Sequence, residues 1–157
     1  MNPGASEIHD RLLRLRSKLD TEIPITQPLG IQVLEVSDDQ VELGAPLDKN
    51  RNHQGTAFAG SVNALATLAG WASVWLTLED SNLPTDLVIQ DSSIRYVLPV
   101  TTDFRARCPL PHGPEVRRFV EAIERHGRGR IRVHASVHAG EEKVAMFEGR
   151  YVALGKG

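Results

Sequence analysis

From Gln54 to Leu78 the chain carries no charged side chain, whereas the segments on either side mix apolar and polar positions regularly. A helix that is apolar almost all round has no face to give to water and must be wrapped by other structure. Before this run, Glu7 to Leu19 places Ile8, Leu12, Leu13, Leu15 and Leu19 near one side of a helix, which Pro24 and Pro28 end. Gly30 to Val36 and Gln40 to Leu47 read as two strands joined by the turn cluster Ser37-Asp38-Asp39. In the second of them Val41, Leu43 and Ala45 take one face, and Glu42 and Gly44 the other, wet one. The apolar run itself predicts a helix over roughly Thr56 to Leu78, stopping before Glu79-Asp80-Ser81-Asn82 and Pro84.

Two more strands follow, Leu87 to Val97 and Asp103 to Cys108. After Pro109, Pro111 and Pro114, the residues Val116, Phe119, Val120 and Ile123 stand at i, i+3, i+4 and i+7, a surface helix that His126-Gly127-Arg128-Gly129 ends. Arg130 to His138 alternates strictly, with Ile131, Val133, Ala135 and Val137 inward, and Ala139-Gly140-Glu141-Glu142 turns the chain into a last strand, Lys143 to Leu154. The order is helix, two strands, long buried helix, two strands, surface helix, two strands. A long apolar helix amid antiparallel strands has one economical solution, a sheet curled around it with its outer face wet. The fold class is therefore α+β, one domain over residues 1–157, with residues 1–22 forming a helix packed on it.

Composition narrows the function. A single cysteine, Cys108, excludes an internal disulfide framework and a Cys-rich zinc site, and fits a reducing, cytoplasmic setting. The acidic start lacks the apolar core of a secretory signal. The uncharged run is long enough to span a bilayer, but it is alanine-rich and holds Ser61, Asn63, Thr67, Ser73 and Thr77, so a buried helix is expected rather than membrane insertion. Net charge is −2, yet Phe104 to Arg132 carries eight arginines against three glutamates. This segment reads either as a solvated face or as a docking surface for an acidic partner. Nucleic acid is not expected, because no aromatic-interleaved basic motif appears and the pI is 6.3.

Candidate chemistry concentrates where the loop Asn50-Arg-Asn-His-Gln-Gly55 enters the apolar helix. Free backbone N–H groups at a helix start, beside side-chain donors in a dry site, favour charge developing on an oxygen, as in thioester chemistry. His53 reads as a general acid or a loop hydrogen-bonder, and Asn63 lies one helical turn before Thr67 on the same face. Ser61 lacks the nucleophile-elbow pattern and reads as a small packing residue. Trp71 and Trp75 belong to the core, Trp71 also standing as a wall of an acyl pocket. Asp91 is the nearest acid outside the helix. His134 and His138 lack Cys or acid partners, and no metal is expected.

The run Asn52-His53-x-Gly55-Thr56-x-Phe58-x-Gly60-Ser61, with Gly30-Ile31, Ala45-Pro46-Leu47, Gly70-Trp71, Ile94-Arg95-Tyr96, Pro99-Val100, Gly127 to Arg130 and Gly149-Arg-Tyr151, resembles the hotdog-fold thioester enzymes. Within them it is most similar to the thioesterase-type domain that also occurs fused behind a GNAT acetyltransferase, a group associated with malonyl-[acyl carrier protein] decarboxylation. The resemblance implies a homodimer or higher oligomer with sites shared between subunits, and no bound cofactor, the phosphopantetheine arriving on the substrate as acyl carrier protein or coenzyme A thioester. It matches the family's loop amide to Asn52, the carbonyl-polarising backbone N–H to Ala59 with Phe58 and Gly60 beside it, and the region that meets the phosphates to Arg128 and Arg130. The helix carboxylate of the hydrolases is matched by Thr67.

That departure bears on reaction type. Threonine is no general base, and hydrolysis needs an activated water. Loss of CO2 from a malonyl thioester needs instead an oxyanion site for the enolate and a dry pocket around the carboxylate. An Asp in place of Thr67 would repel that carboxylate by several kcal/mol at short range in a low-dielectric site. The expected function is thus decarboxylation of malonyl-acyl carrier protein or malonyl-CoA to the acetyl thioester that primes fatty acid synthesis. The alternatives are an acyl-CoA or acyl-carrier-protein thioesterase, with Asp91 or His53 reaching a water, and a non-catalytic acyl-thioester binder. Dehydration of 3-hydroxyacyl groups is set aside, since Phe58 stands near where that chemistry needs a His.

Overall fold

In the computed structural model, which describes residues 4–156, the chain runs α1 (Ala5–Glu22), α2 (Thr26–Leu29), β1 (Gln32–Val36), β2 (Gln40–Ala45), α3 (Ala59–Asp80), β3 (Thr85–Tyr96), β4 (Phe104–Pro109), α4 (Pro114–His126), β5 (Arg128–Ala139) and β6 (Glu142–Gly155). The strands form one antiparallel sheet in the order β1-β2-β4-β5-β6-β3. It curls around α3, whose Leu65, Ala66, Ala69, Ala72, Val74 and Leu76 are fully buried among Val41, Leu43, Ala106, Val137 and Ala145. α3 is long and apolar enough to cross a membrane, but here it is the core of the fold.

A tyrosine fixes the helix in the sheet. The Tyr151 hydroxyl donates to the Thr67 carbonyl at 2.6 Å, and burial pushes its pKa upward, so it stays a neutral donor. Gly70 makes the approach possible, since a Cβ there would lie 3.0 Å from the tyrosine ring.

α3 begins three residues later than the polarity pattern predicts. The amide of Ala57 is taken by the Val100 carbonyl at 2.9 Å and that of Phe58 by the Asn50 carbonyl at 2.7 Å, so Thr56–Phe58 is tied as extended chain. α2 was not expected; it is one short turn in which the buried Thr26 hydroxyl donates to the Ile23 carbonyl at 2.8 Å. The wet face expected for β2 is also corrected: Glu42 is buried, accepting from Arg107 Nε at 3.0 Å and Nη2 at 2.9 Å, and Gly44 lies beneath Leu34.

α1 packs along β1 and reaches the far end of α3. The buried Arg11 guanidinium lies 3.2 Å from Asp80 and 3.8 Å from Asp38, while Arg14 pairs with Glu79 at 3.2 Å. Leu15 and Leu19 are buried, but Leu13, assigned to the same side by spacing, is exposed. β4 buries Cys108, whose thiol burial pushes up to about 12. β3 is an edge strand, paired only with β6, and leaves Val88, Ile89 and Tyr96 exposed.

Candidate active site at the mouth of the central helix

The loop after β2 is built by two asparagines. Asn50 is buried, and its Nδ2 donates to the carbonyls of Pro46 at 2.7 Å and Leu29 at 2.9 Å, anchoring the loop to the α2 turn. Asn52 organises the next turn. Its Oδ1 accepts from the amides of Gln54 at 2.9 Å and Thr56 at 3.2 Å, and its Nδ2 donates to Thr56 Oγ1 at 2.8 Å and weakly to the Ala57 carbonyl at 3.5 Å. An Asx-type turn of this kind holds the side chain in one orientation. Asn52 thereby becomes one wall of a cleft of about 300 Å³, shared with Ala59, Val62, Tyr96, Leu98 and Val100.

The first turn of α3 faces this cleft uncapped. Phe58 supplies no side-chain cap, and among the described residues neither the Ala59 nor the Gly60 N–H has a protein acceptor. Two donors at the positive end of a 22-residue helix attract a developing oxyanion. The Phe58 ring folds back over Gly60 and occupies the space a Cβ there would need. The Tyr96 hydroxyl donates to the Ala59 carbonyl at 2.9 Å.

Thr67 and Asn63 lie further along, half-buried, with Thr67 Oγ1 3.5 Å from Asn63 Oδ1. Eight residues at ~1.5 Å rise put Thr67 about 12 Å from Ala59 along the axis. One protomer therefore does not join Thr67 to the Asn52–Ala59 cleft. Trp71 donates its indole N–H to the Leu87 carbonyl at 3.1 Å and stacks on Trp75 with ring centroids 6.0 Å apart, so it sits between α3 and β3. His53 is exposed at the loop tip. α3 has acids only at its far end, where Glu79 and Asp80 pair with Arg14 and Arg11.

The remaining candidates lie elsewhere. Asp91 pairs with Arg150, which alternates with the inward Tyr151, so both face the outer side of the sheet, away from α3. Arg130 is on that face too, donating to Gln90 at 3.1 Å. Arg128 pairs in register with Leu154 at one end of β5, whereas Tyr96 lies at the other end, beside Ala145 and Val137. Nine residues of strand separate those ends by roughly 30 Å at ~3.3 Å each. The cleft also draws on Tyr96, Val97, Leu98 and Val100, which sequence reasoning did not place in the site, although Ile94-Arg95-Tyr96 and Pro99-Val100 are among the landmarks of the resemblance. A larger cleft of about 630 Å³, lined by Lys49, Asp103 and Arg105, holds none of the candidates.

An antiparallel sheet wrapped around one long helix, with free donors at the helix mouth, defines a hotdog domain of the thioesterase-like class, acting on acyl thioesters. Residues 12–155 match the family described as "Putative thioesterase (yiiD_Cterm)", and the chain belongs to that family. It is similar to a "putative thioesterase" from Shewanella oneidensis, with 29% identity over 93% of this chain and 99% of that one and a TM-score of 0.83. A Chlorobaculum tepidum protein described as of unknown function matches with 27% identity over 95% and 97% of the two chains, TM-score 0.90.

Proposed function

We propose that the chain decarboxylates a malonyl thioester, on acyl carrier protein or coenzyme A, to the acetyl thioester. The observation that carries this reading is a cleft lined by Ala59 at the uncapped start of the helix and by the ordered amide of Asn52, with the Gly60 N–H next in the chain and no carboxylate among the lining residues. The bond between the malonyl α-carbon and its carboxylate breaks, CO2 leaves, and the electron pair passes into the thioester carbonyl. The Ala59 and Gly60 amides receive the enolate oxygen. A proton from water or from His53 then returns to the α-carbon. No base is needed at any point, and an acid near Thr67 would oppose binding of the substrate carboxylate.

The reading includes a two-fold dimer formed through β3, whose outer edge has unpaired backbone groups and whose exposed Val88 and Ile89 suit a second copy. Antiparallel pairing there would bring the partner's Thr67, and the Arg128 end of its sheet, toward this protomer's cleft. The phosphates of the carrier arm would then meet Arg128 and Arg130 of the partner subunit. A cytoplasmic setting, where such thioesters are made, completes the proposal. Hydrolysis is the second reading, favoured by the family's description, with His53, the neighbour of Asn52 in the chain, reaching a water. Mass spectrometry of malonyl-carrier protein after incubation with the chain decides: loss of CO2 supports decarboxylation, loss of the whole acyl group supports hydrolysis, and an unchanged mass refutes both.

A further inference from the structure

We infer that Tyr96 is a positioning residue that makes the Gly60 N–H the stronger oxyanion donor of the site, an inference that rests on the oxyanion reading of this cleft. The Ala59 carbonyl and the Gly60 N–H belong to the same peptide group. Tyr96 donates to that carbonyl at 2.9 Å from the end of β3, outside the helix. A hydrogen bond accepted by a peptide oxygen polarises the group and makes its N–H a better donor, because bonds in a chain reinforce one another. The same contact ties the first turn of α3 to a strand, fixing the direction of the N–H before any charge appears.

Two further observations agree. The Gly60 N–H has no protein acceptor among the described residues, so its donor capacity is unspent. The Phe58 ring occupies the space a side chain at position 60 would need, so the donor peptide carries no side chain of its own beside it. Tyr96 and Ala59 line the same cleft. Tyr96 itself does not touch the reacting atoms; it acts through the peptide.

The test is Tyr96→Phe, which removes only the hydroxyl. Removing a direct oxyanion donor costs about a hundred-fold or more, so a residue acting through the donor should cost about ten-fold in kcat, with KM within about two-fold. The Gly60 amide proton should move upfield in the 15N–1H spectrum. A coenzyme A nitronate that mimics the acetyl enolate should bind about ten-fold more weakly, while the neutral S-acetonyl thioether of coenzyme A binds as before. An unmoved Gly60 resonance with unchanged nitronate affinity overturns the inference. So does a parallel loss of both ligands with a lowered Tm, which marks a purely structural tyrosine. If the wild type leaves malonyl thioesters intact but the nitronate and Gly60 effects appear, the proposed reaction fails and the positioning role stands.

Discussion

The asparagine that faces the cleft is also the one that holds the loop, so truncating it removes two things at once. Asn52→Ala should lower kcat about a hundred-fold and also cost about 1–3 kcal/mol of stability through the amides of Gln54 and Thr56 left without their acceptor. Asn52→Asp separates the two roles. It keeps the oxygen that accepts from Gln54 and Thr56 but gives up the Nδ2 bonds to Thr56 Oγ1 and the Ala57 carbonyl, so Tm should fall less than in the alanine variant, while the negative charge beside the substrate should lower turnover nearly as far. Near-normal turnover in either variant removes Asn52 from the chemistry. At position 67 the expectation is electrostatic: Thr67→Asp should suppress decarboxylation, read as CO2 release, by placing a like charge beside the malonyl carboxylate. Release equal to that of the parent would turn the assignment toward the hydrolase.

Among the elements, α3 is the one whose position everything else depends on. Gly70→Ala should destabilise the fold by about 1–3 kcal/mol in urea melts, because the new methyl meets the buried Tyr151 ring. Equal stability would mean that the helix can shift sideways without cost. At the other end of α3, burial raises the Asp80 pKa, only partly offset by Arg11. A folded-state pKa above the unfolded one means the folded chain holds that proton more tightly. Its contribution is thus present at low pH and lost as pH rises above the ordinary carboxylate range. Asp80→Asn should flatten that segment of the Tm profile; an unaltered profile would show Asp80 to be thermally silent.

The long elements were legible because their periodicity is local: the uncharged run could only be a wrapped helix, and β5 alternates without a break. Three features were not, and each depends on a distant partner. The start of α3 is delayed by Val100 and Asn50, the burial of Glu42 depends on Arg107, and Tyr96 joins the cleft only because β3 ends beside Ala59. Asp91 is instructive in the opposite sense. Its chemistry suited a missing base, but strand parity alone turns it to the outer face, and that parity is set by a bulge between Ile89 and Asp91 that no local pattern announces.

For the whole molecule, the proposed sharing of sites between two copies has a sharp consequence. Asn52→Ala and Thr67→Asp chains are each inactive in the decarboxylation reading. Mixed and reassembled, half of the dimers carry both kinds of chain, and each of these has one intact site of two, so about a quarter of wild-type activity should return. No recovery, with heterodimers verified by mass, would place each site within one chain. Charge reversal at Arg128 and Arg130 should raise KM several-fold and flatten its dependence on salt, since exposed contacts act mainly on association and are screened. Unchanged kinetics would leave the arginines as a solvated face.

Cys108 offers a readout for all of these variants. It is the chain's single thiol, it lies in β4 with no solvent exposure, and burial holds it protonated far above neutral pH. Alkylating reagents attack the thiolate, so the native protein should be inert to them, and labelling should proceed only through molecules whose sheet has come apart. The rate of iodoacetamide uptake in dilute native buffer, followed by intact mass, therefore tracks the fraction of molecules whose sheet is open, with no denaturant.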